Sequence, residues 1–328
     1  MPNEFLPWHR KPWEQLTAYV DNGRVPHALL ISGKEGVGKL RLAVQFAQSL
    51  LCEQRDEQML GCGRCSGCQL FRAQTHPDFV QIEPKEPGKP ITIDAIRELS
   101  DLITLTAQYG GYRIVLLTPA HRLNAAAANG LLKTLEEPVD RTVLLLLTDS
   151  PSSLPATILS RCQQLTVAIP NKNDALEWLR QQKVDEPPDA LLALAGGAPL
   201  LALALARENS LAVRASLFQA WLNVSRQVSD PVSVAELWCK QPCDRVLLWL
   251  MGWVMDMIRL HQGSSVAGLY NPDWSISLQA EAQKLNLKEL FRFLDLLFTS
   301  TRSLNTQVNK QMLLEEILIE WRQLPRTP

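Results

Sequence analysis

The chain has 328 residues, 46% apolar and 20% charged, with 33 basic residues against 34 acidic ones. That length suits two or three domains with sizeable cores, and the near-neutral balance argues against a broad electropositive surface as the main business of the protein. The opening stretch MPNEFLPWHRKPWEQL carries no signal-peptide core, and the longest uncharged run, 190–206, is shorter than the ~20 apolar residues of a membrane span. A cytoplasmic protein without a membrane partner is expected, and its seven cysteines then read as thiols or metal ligands rather than disulfides.

In chain order, HALLISG (27–33) is a short apolar run ending in glycine, the pattern of a buried parallel strand. LRLAVQFAQSLLC (40–52) has Leu42, Val44, Phe46, Ala47, Leu50 and Leu51 mostly at helical spacing. A cysteine cluster follows. DFVQI (78–82) reads as a strand, TIDAIRELSDLITLT (92–106) as an amphipathic helix and YRIVLLT (112–118) as a strand. NAAAANGLLKTLEEP (124–138) is a helix stopped by Pro138, and RTVLLLLT (141–148) another buried strand. Strands alternating with helices predict a parallel sheet with helices on both faces. Beyond about residue 170 the strand signals fade. Short helices are expected over 171–207, with a break at Gly196–Gly197, and long ones from 208 onward, such as 244–261 and 287–304. The fold class is α/β followed by all-α. Three domains are expected: an α/β domain over 1–169, a small helical one over 170–207 and a larger helical one over 208–328.

Between the first strand and the first helix stands GKEGVGKL (33–40). It matches the phosphate-loop pattern G-x-x-x-x-G-K-[ST] except at the last position. Gly33, Gly36, Gly38 and Lys39 are the candidate nucleotide-binding residues. The backbone N–H groups and the helix end would face phosphate oxygens, and Lys39 would add a point charge. Leu40, however, has no hydroxyl to hold Mg²⁺. A hydrolysing site also needs carboxylates at the end of a neighbouring strand. After RIVLL the sequence offers Thr118 and Pro119 instead. Three losses at such positions argue against ATP hydrolysis. They leave ATP binding doubtful, with a vestigial loop that merely closes the turn as the alternative.

AAAANGLLKTLEEP followed by LPATILSRC (154–162) resembles the clamp-loader branch of the AAA+ ATPases, and the resemblance covers essentially the whole chain. It implies an AAA+-type sheet domain, a small helical lid domain and a C-terminal helical collar. It also implies a place in a five-subunit ring with the gamma/tau and delta subunits of the DNA polymerase III clamp loader. That complex opens the sliding clamp and places it on primed DNA during replication. Leu40, Thr118 and Pro119 depart from the motor members of the family, as does Leu200 where a second-sensor arginine would fall. The implied role is a non-hydrolysing stator, a subunit of a polymerase holoenzyme with no catalysis of its own. Arg161, in SRC (160–162), is the position from which this family reaches into the adjacent subunit's nucleotide site. A guanidinium there stabilises charge as the bond breaks. From the residues alone, Arg161 reads as a surface arginine at a helix end. Thr148 aligns with the first sensor, with a structural role in the absence of a working site. Glu136 and Glu137 are neighbours on one helix and diverge by about 100°, so they do not form a catalytic pair; a solvated helix end or subunit contact is expected.

The cysteine cluster is spaced C-x₉-C-x₂-C-x₂-C, and Gly61, Gly63 and Gly67 permit tight turns. Cys62, Cys65 and Cys68 form a close trio suited to a structural Zn²⁺. Cys52 as fourth ligand follows from the resemblance, which places a Cys₄ zinc insert at about 52–68, and His76 is the alternative. A ferredoxin-type cluster lacks its cysteine–proline pair. Cys162, Cys239 and Cys243 read as packed thiols. Two rival functions remain: an ATP-hydrolysing motor subunit, and a zinc-dependent DNA-binding module. The second has little behind it, because the cluster offers only Arg55, Arg64 and Arg72 and few aromatic stacking partners.

Overall fold

The computed structural model describes residues 5–86, 88–103, 107–109, 111–263, 265–304 and 308–325. The chain divides into two compact units, Met1–Trp178 with Gly197–Leu201, and Leu179–Gly196 with Ala202–Pro328.

The first unit is built on strands β1 (Ala28–Ser32), β2 (Phe79–Ile82), β3 (Arg113–Leu117), β4 (Thr142–Thr148) and β5 (Gln163–Thr166). All pairings are parallel, in the order β2-β3-β4-β1-β5. Helices α1 (Arg10–Asp21), α2 (Lys39–Leu51), α3 (Ser66–Arg72), α4 (Ile93–Ile103), α5 (Ala125–Glu136), α6 (Ala156–Leu159) and α7 (Lys172–Gln181) accompany them. β1, β3 and β4 are buried along their whole length, as strands covered on both faces must be. Alternation then sorts the side chains. Leu29, Ile31, Leu116 and Leu145 join the helices α1 and α2 in one core. Leu30, Val115, Leu144 and Leu146 join α4 and α5 in the other.

Helices α1 and α3 were not among the elements expected from the sequence, and two further features depart from it. β5 was not anticipated, because QQLT buries only Leu165; its place as an edge strand rests on pairing with β1. Asp78 lies just before β2 and is fully buried. It pairs with Arg113 at 3.2 Å and accepts from the Gln108 and Tyr109 amides. The last three residues of the helix expected over 92–106 lie outside the described ones.

The second unit is helical. α8 (Pro188–Leu194) ends before Gly196 and Gly197, whose φ values of 56° and 85° break the chain where expected. α9 (Pro199–Arg207), whose first three residues belong to the first unit, follows, then α10 (Ser210–Ser225), α11 (Pro231–Trp238), α12 (Cys243–His261), α13 (Ser275–Ala282), α14 (Leu287–Ser303) and α15 (Lys310–Gln323). Trp221, Trp238, Trp253 and Trp321 are fully buried at its centre. Trp221 stacks on Trp321 at 4.2 Å, and Phe218 on Trp274 at 4.1 Å. Buried Asp256 on α12 accepts from the Tyr270 and Asn271 amides and so pins the connection before α13. Among the described residues no single helix is long and apolar enough to cross a membrane.

Candidate functional site

The phosphate loop leaves β1 at the edge of the sheet where Ser32 stands opposite Thr148 of β4. Gly36 (φ +80°) and Gly38 (φ +93°) adopt conformations that disfavour any side chain, and both are closely covered. A Cβ on Gly36 would lie 2.4 Å from that of Leu201; one on Gly38 would meet Leu6 at 2.7 Å and His9 at 2.9 Å. The loop is also gripped from the N-terminal side. The Val37 carbonyl accepts from Trp8 Nε1 at 2.8 Å and from His9 Nε2 at 2.9 Å. Because a carbonyl only accepts, the His9 proton sits on Nε2. Its Nδ1 is buried without a partner. Burial pushes His9 down to about 4, opposed by the bond to Val37 and helped by nearby Arg41.

Lys39 opens α2 and is nearly buried. Its ammonium donates to the Lys34 carbonyl at 2.8 Å and is ion-paired with Asp149. Asp149 is the functional residue that the sequence reading missed. It follows Thr148 directly, and the parallel pairing of β1 with β4 brings it to the loop. A cleft of about 600 Å³ lies in front, lined among others by Lys39, Leu40, Thr118, Pro119, Asp149 and Leu200. Leu40 presents an apolar side chain there, and neither Thr118 nor Pro119 supplies a carboxylate. Leu200, at the expected second-sensor position, donates its amide to the Gly36 carbonyl at 3.0 Å. The Thr148 hydroxyl is held by His121 Nδ1 and by the Ser150 amide, both at 3.1 Å. His121 titrates below its usual range, chiefly through burial.

Arg161 is half-buried in the turn between α6 and β5. It forms an ion pair with Glu136, at the C-terminal end of α5, at 2.6 Å. Glu137 is the C-cap of α5, and both it and Glu136 are exposed.

The four sulfurs of Cys52, Cys62, Cys65 and Cys68 lie within 4.8 Å of one another. The cluster can ligate a metal ion. Backbone amides of Cys62, Cys65 and Cys68 point at Cys52, Cys62 and Cys65 Sγ at 3.3–3.4 Å. Amides of Arg64 and Cys65 bring Cys62 down to about 6, whereas burial pushes Cys68 up to about 12. His76 is outside the set; its Nδ1 accepts from the Asp78 amide at 3.1 Å. Cys162 is buried in the sheet core, Cys243 in the helical core, and Cys239 donates to the Glu236 carbonyl.

A phosphate loop at the end of the first strand, in a parallel sheet ordered β2-β3-β4-β1-β5 with helices on both faces and a helical region beyond, is the AAA+ arrangement. Residues 8–171 match the family described as DNA polymerase III, delta subunit, and residues 208–323 match its C-terminal counterpart. The DNA polymerase III subunit delta' of Pseudomonas aeruginosa is 36% identical over 327 residues, 98% of each chain. That of Escherichia coli is 38% identical over 264 residues, covering 80% of this chain and 78% of its own. A solved gamma subunit-related protein from Thermotoga maritima aligns over 95% of this chain and 99% of its own at 17% identity and a TM-score of 0.48. The chain belongs to the delta-prime family of bacterial DNA polymerase III, the non-catalytic stator of the clamp-loader complex.

The burial of His9 makes its titration measurable as stability. With its folded value below the unfolded one, the unfolded chain takes up the extra proton between pH 6.5 and about 4. The stabilisation is complete above pH 6.5 and is lost as pH falls through that window. His9→Gln keeps a donor for Val37 but cannot titrate. The fall in its thermal midpoint between pH 6.5 and 4 should be shallower than the wild type's; an equal fall would place the effect on other groups.

Proposed function

We propose that this chain sits at one end of a five-subunit ring with gamma/tau and delta subunits. There it keeps an inert phosphate loop and lends Arg161 to a motor neighbour as the complex loads the sliding clamp on primed DNA. The observation that carries the reading is the state of Lys39. Its charge, which would meet the outer phosphates, is already satisfied by Asp149 and the Lys34 carbonyl. Beside it, Leu40 and Pro119 offer no side-chain ligand and Thr118 offers no carboxylate. Gly33, Gly36, Gly38 and Lys39 therefore keep the shape of a nucleotide loop without its chemistry. Arg161, by contrast, is partly accessible, and its guanidinium is always charged.

The proposed organisation is an α/β domain to residue 169, a small helical lid to 207 and a C-terminal collar, in a cytoplasmic protein. The switch from strands to helices and the separate family match over 208–323 support it. The metal is proposed to be structural zinc held by Cys52, Cys62, Cys65 and Cys68. Zn–S bonds of about 2.3 Å in a tetrahedron separate sulfurs by ~3.8 Å, and Cys52 and Cys65 Sγ are 3.8 Å apart. Four thiolates leave no open position for catalysis.

Three outcomes are expected. In a reconstituted clamp loader, Arg161→Ala should lower the DNA- and clamp-stimulated ATPase by about tenfold or more, while the isolated chain stays inert. An unchanged rate in an assembled complex would remove Arg161 from the chemistry. Asp149→Asn should free Lys39, so titration with a fluorescent ATP analogue should show tighter binding than wild type without turnover. Elemental analysis should find one zinc per chain in a colourless protein. Cys68→Ser should lose the zinc and lower the unfolding midpoint, whereas iron with visible absorbance would identify a cluster instead.

A further inference from the structure

Arg161 is a held side chain. One guanidinium nitrogen pairs with Glu136 Oε1 at 2.6 Å. The other donates to the Thr157 carbonyl at 3.1 Å and lies 3.5 Å from Ser160 Oγ. The backbone around it is fixed as well. Ile158 and Cys162, three residues before and one after, are buried in the same core as Leu131 and Leu135 of α5. Both ends of the Arg161–Glu136 pair are thus mounted on elements packed against each other. Glu136 ends α5, where the negative pole of the helix opposes a carboxylate and favours a cation beside it. The pairing therefore relieves an unfavourable charge as well as orienting a favourable one.

The grip does not exhaust the guanidinium. It has five N–H donors, and the contacts to Glu136 and Thr157 leave others free for phosphate oxygens. An unrestrained arginine would have to lose rotamer freedom on entering a neighbour's site; this one has lost much of it beforehand.

We propose that Glu136 is the positioning residue for Arg161, holding its guanidinium in the orientation with which it enters the adjacent subunit's nucleotide site. This rests on the reading of Arg161 as an arginine finger given above. Glu136 touches no nucleotide itself. Its effect belongs in the rate of the chemical step rather than in nucleotide affinity, because the finger meets charge that develops as the bond breaks.

The test uses the reconstituted complex, with Glu136→Ala, Glu136→Gln, Arg161→Ala and the double variant Glu136→Ala/Arg161→Ala, assembly being checked by size for each. A half-exposed ion pair sets the scale at roughly fivefold. Glu136→Ala should lower the stimulated kcat by about that factor with KM for ATP unchanged. Glu136→Gln, which keeps an oxygen acceptor, should restore part of the loss. The double variant should be no slower than Arg161→Ala alone. Three results would overturn the proposal: Glu136→Ala as fast as wild type or faster while Arg161→Ala collapses the rate; the same loss with KM raised and kcat intact; or a double variant slower than Arg161→Ala, which would mean Glu136 acts elsewhere. If Arg161→Ala itself changes nothing, the finger reading fails and this inference with it, a pattern distinct from the other three.

Discussion

The parallel pairing of β1 with β4 sets Ser32 opposite Thr148, and the chemistry at the front of the sheet depends on that register. Parallel strands deliver their C-terminal ends to one edge, where open α/β sheets bind ligands. Here the same geometry delivers a lysine from one strand-to-helix turn and an aspartate from the end of the neighbouring strand. The two charges meet each other. A loop built to receive an anion has been given one from within the chain, and the glycines that shape it are covered by Leu201, Leu6 and His9. The shape of the loop is thus held by contacts made within the chain.

Much of this was legible in the sequence, and the limits have physical causes. β1, β3 and β4 announce themselves as continuous apolar runs because both of their faces are covered. β5 does not, since an edge strand with one buried side chain has no run to show. The loop, Leu40, Thr118 and Pro119 could be read by position, because their pattern is local. Asp149 could not be assigned to Lys39, because the two are 110 residues apart and only sheet register brings them together. It was still findable, as a carboxylate one residue past a predicted central strand. The clasp of Trp8 and His9 on the Val37 carbonyl left no trace, since a lone histidine and tryptophan near the start of a chain carry no periodicity. The cysteine trio was visible through its spacing, while the convergence of Cys52 is a matter of where α2 ends.

The two halves of the sheet's leading edge have separate demands. Around Lys39, the ammonium already has partners within the chain, the Asp149 carboxylate and the Lys34 carbonyl. Around Arg161, the contacts orient a charge without enclosing it. A subunit with no turnover of its own loses nothing from the first condition, and service to a neighbour is compatible with the second.

The covering of the loop also bears on what it would take to build a hydrolysing site here. Restoring a hydroxyl at position 40 would place one metal ligand in a cleft that still has no carboxylate at 118 or 119. Asp149 would still hold Lys39, and Leu200 and Leu201 would still rest on Gly36. No single one of these changes supplies a carboxylate, releases Lys39 and uncovers Gly36 together. The Lys39–Asp149 pair and the cover over the glycines are independent contacts, so removing either leaves the other in place.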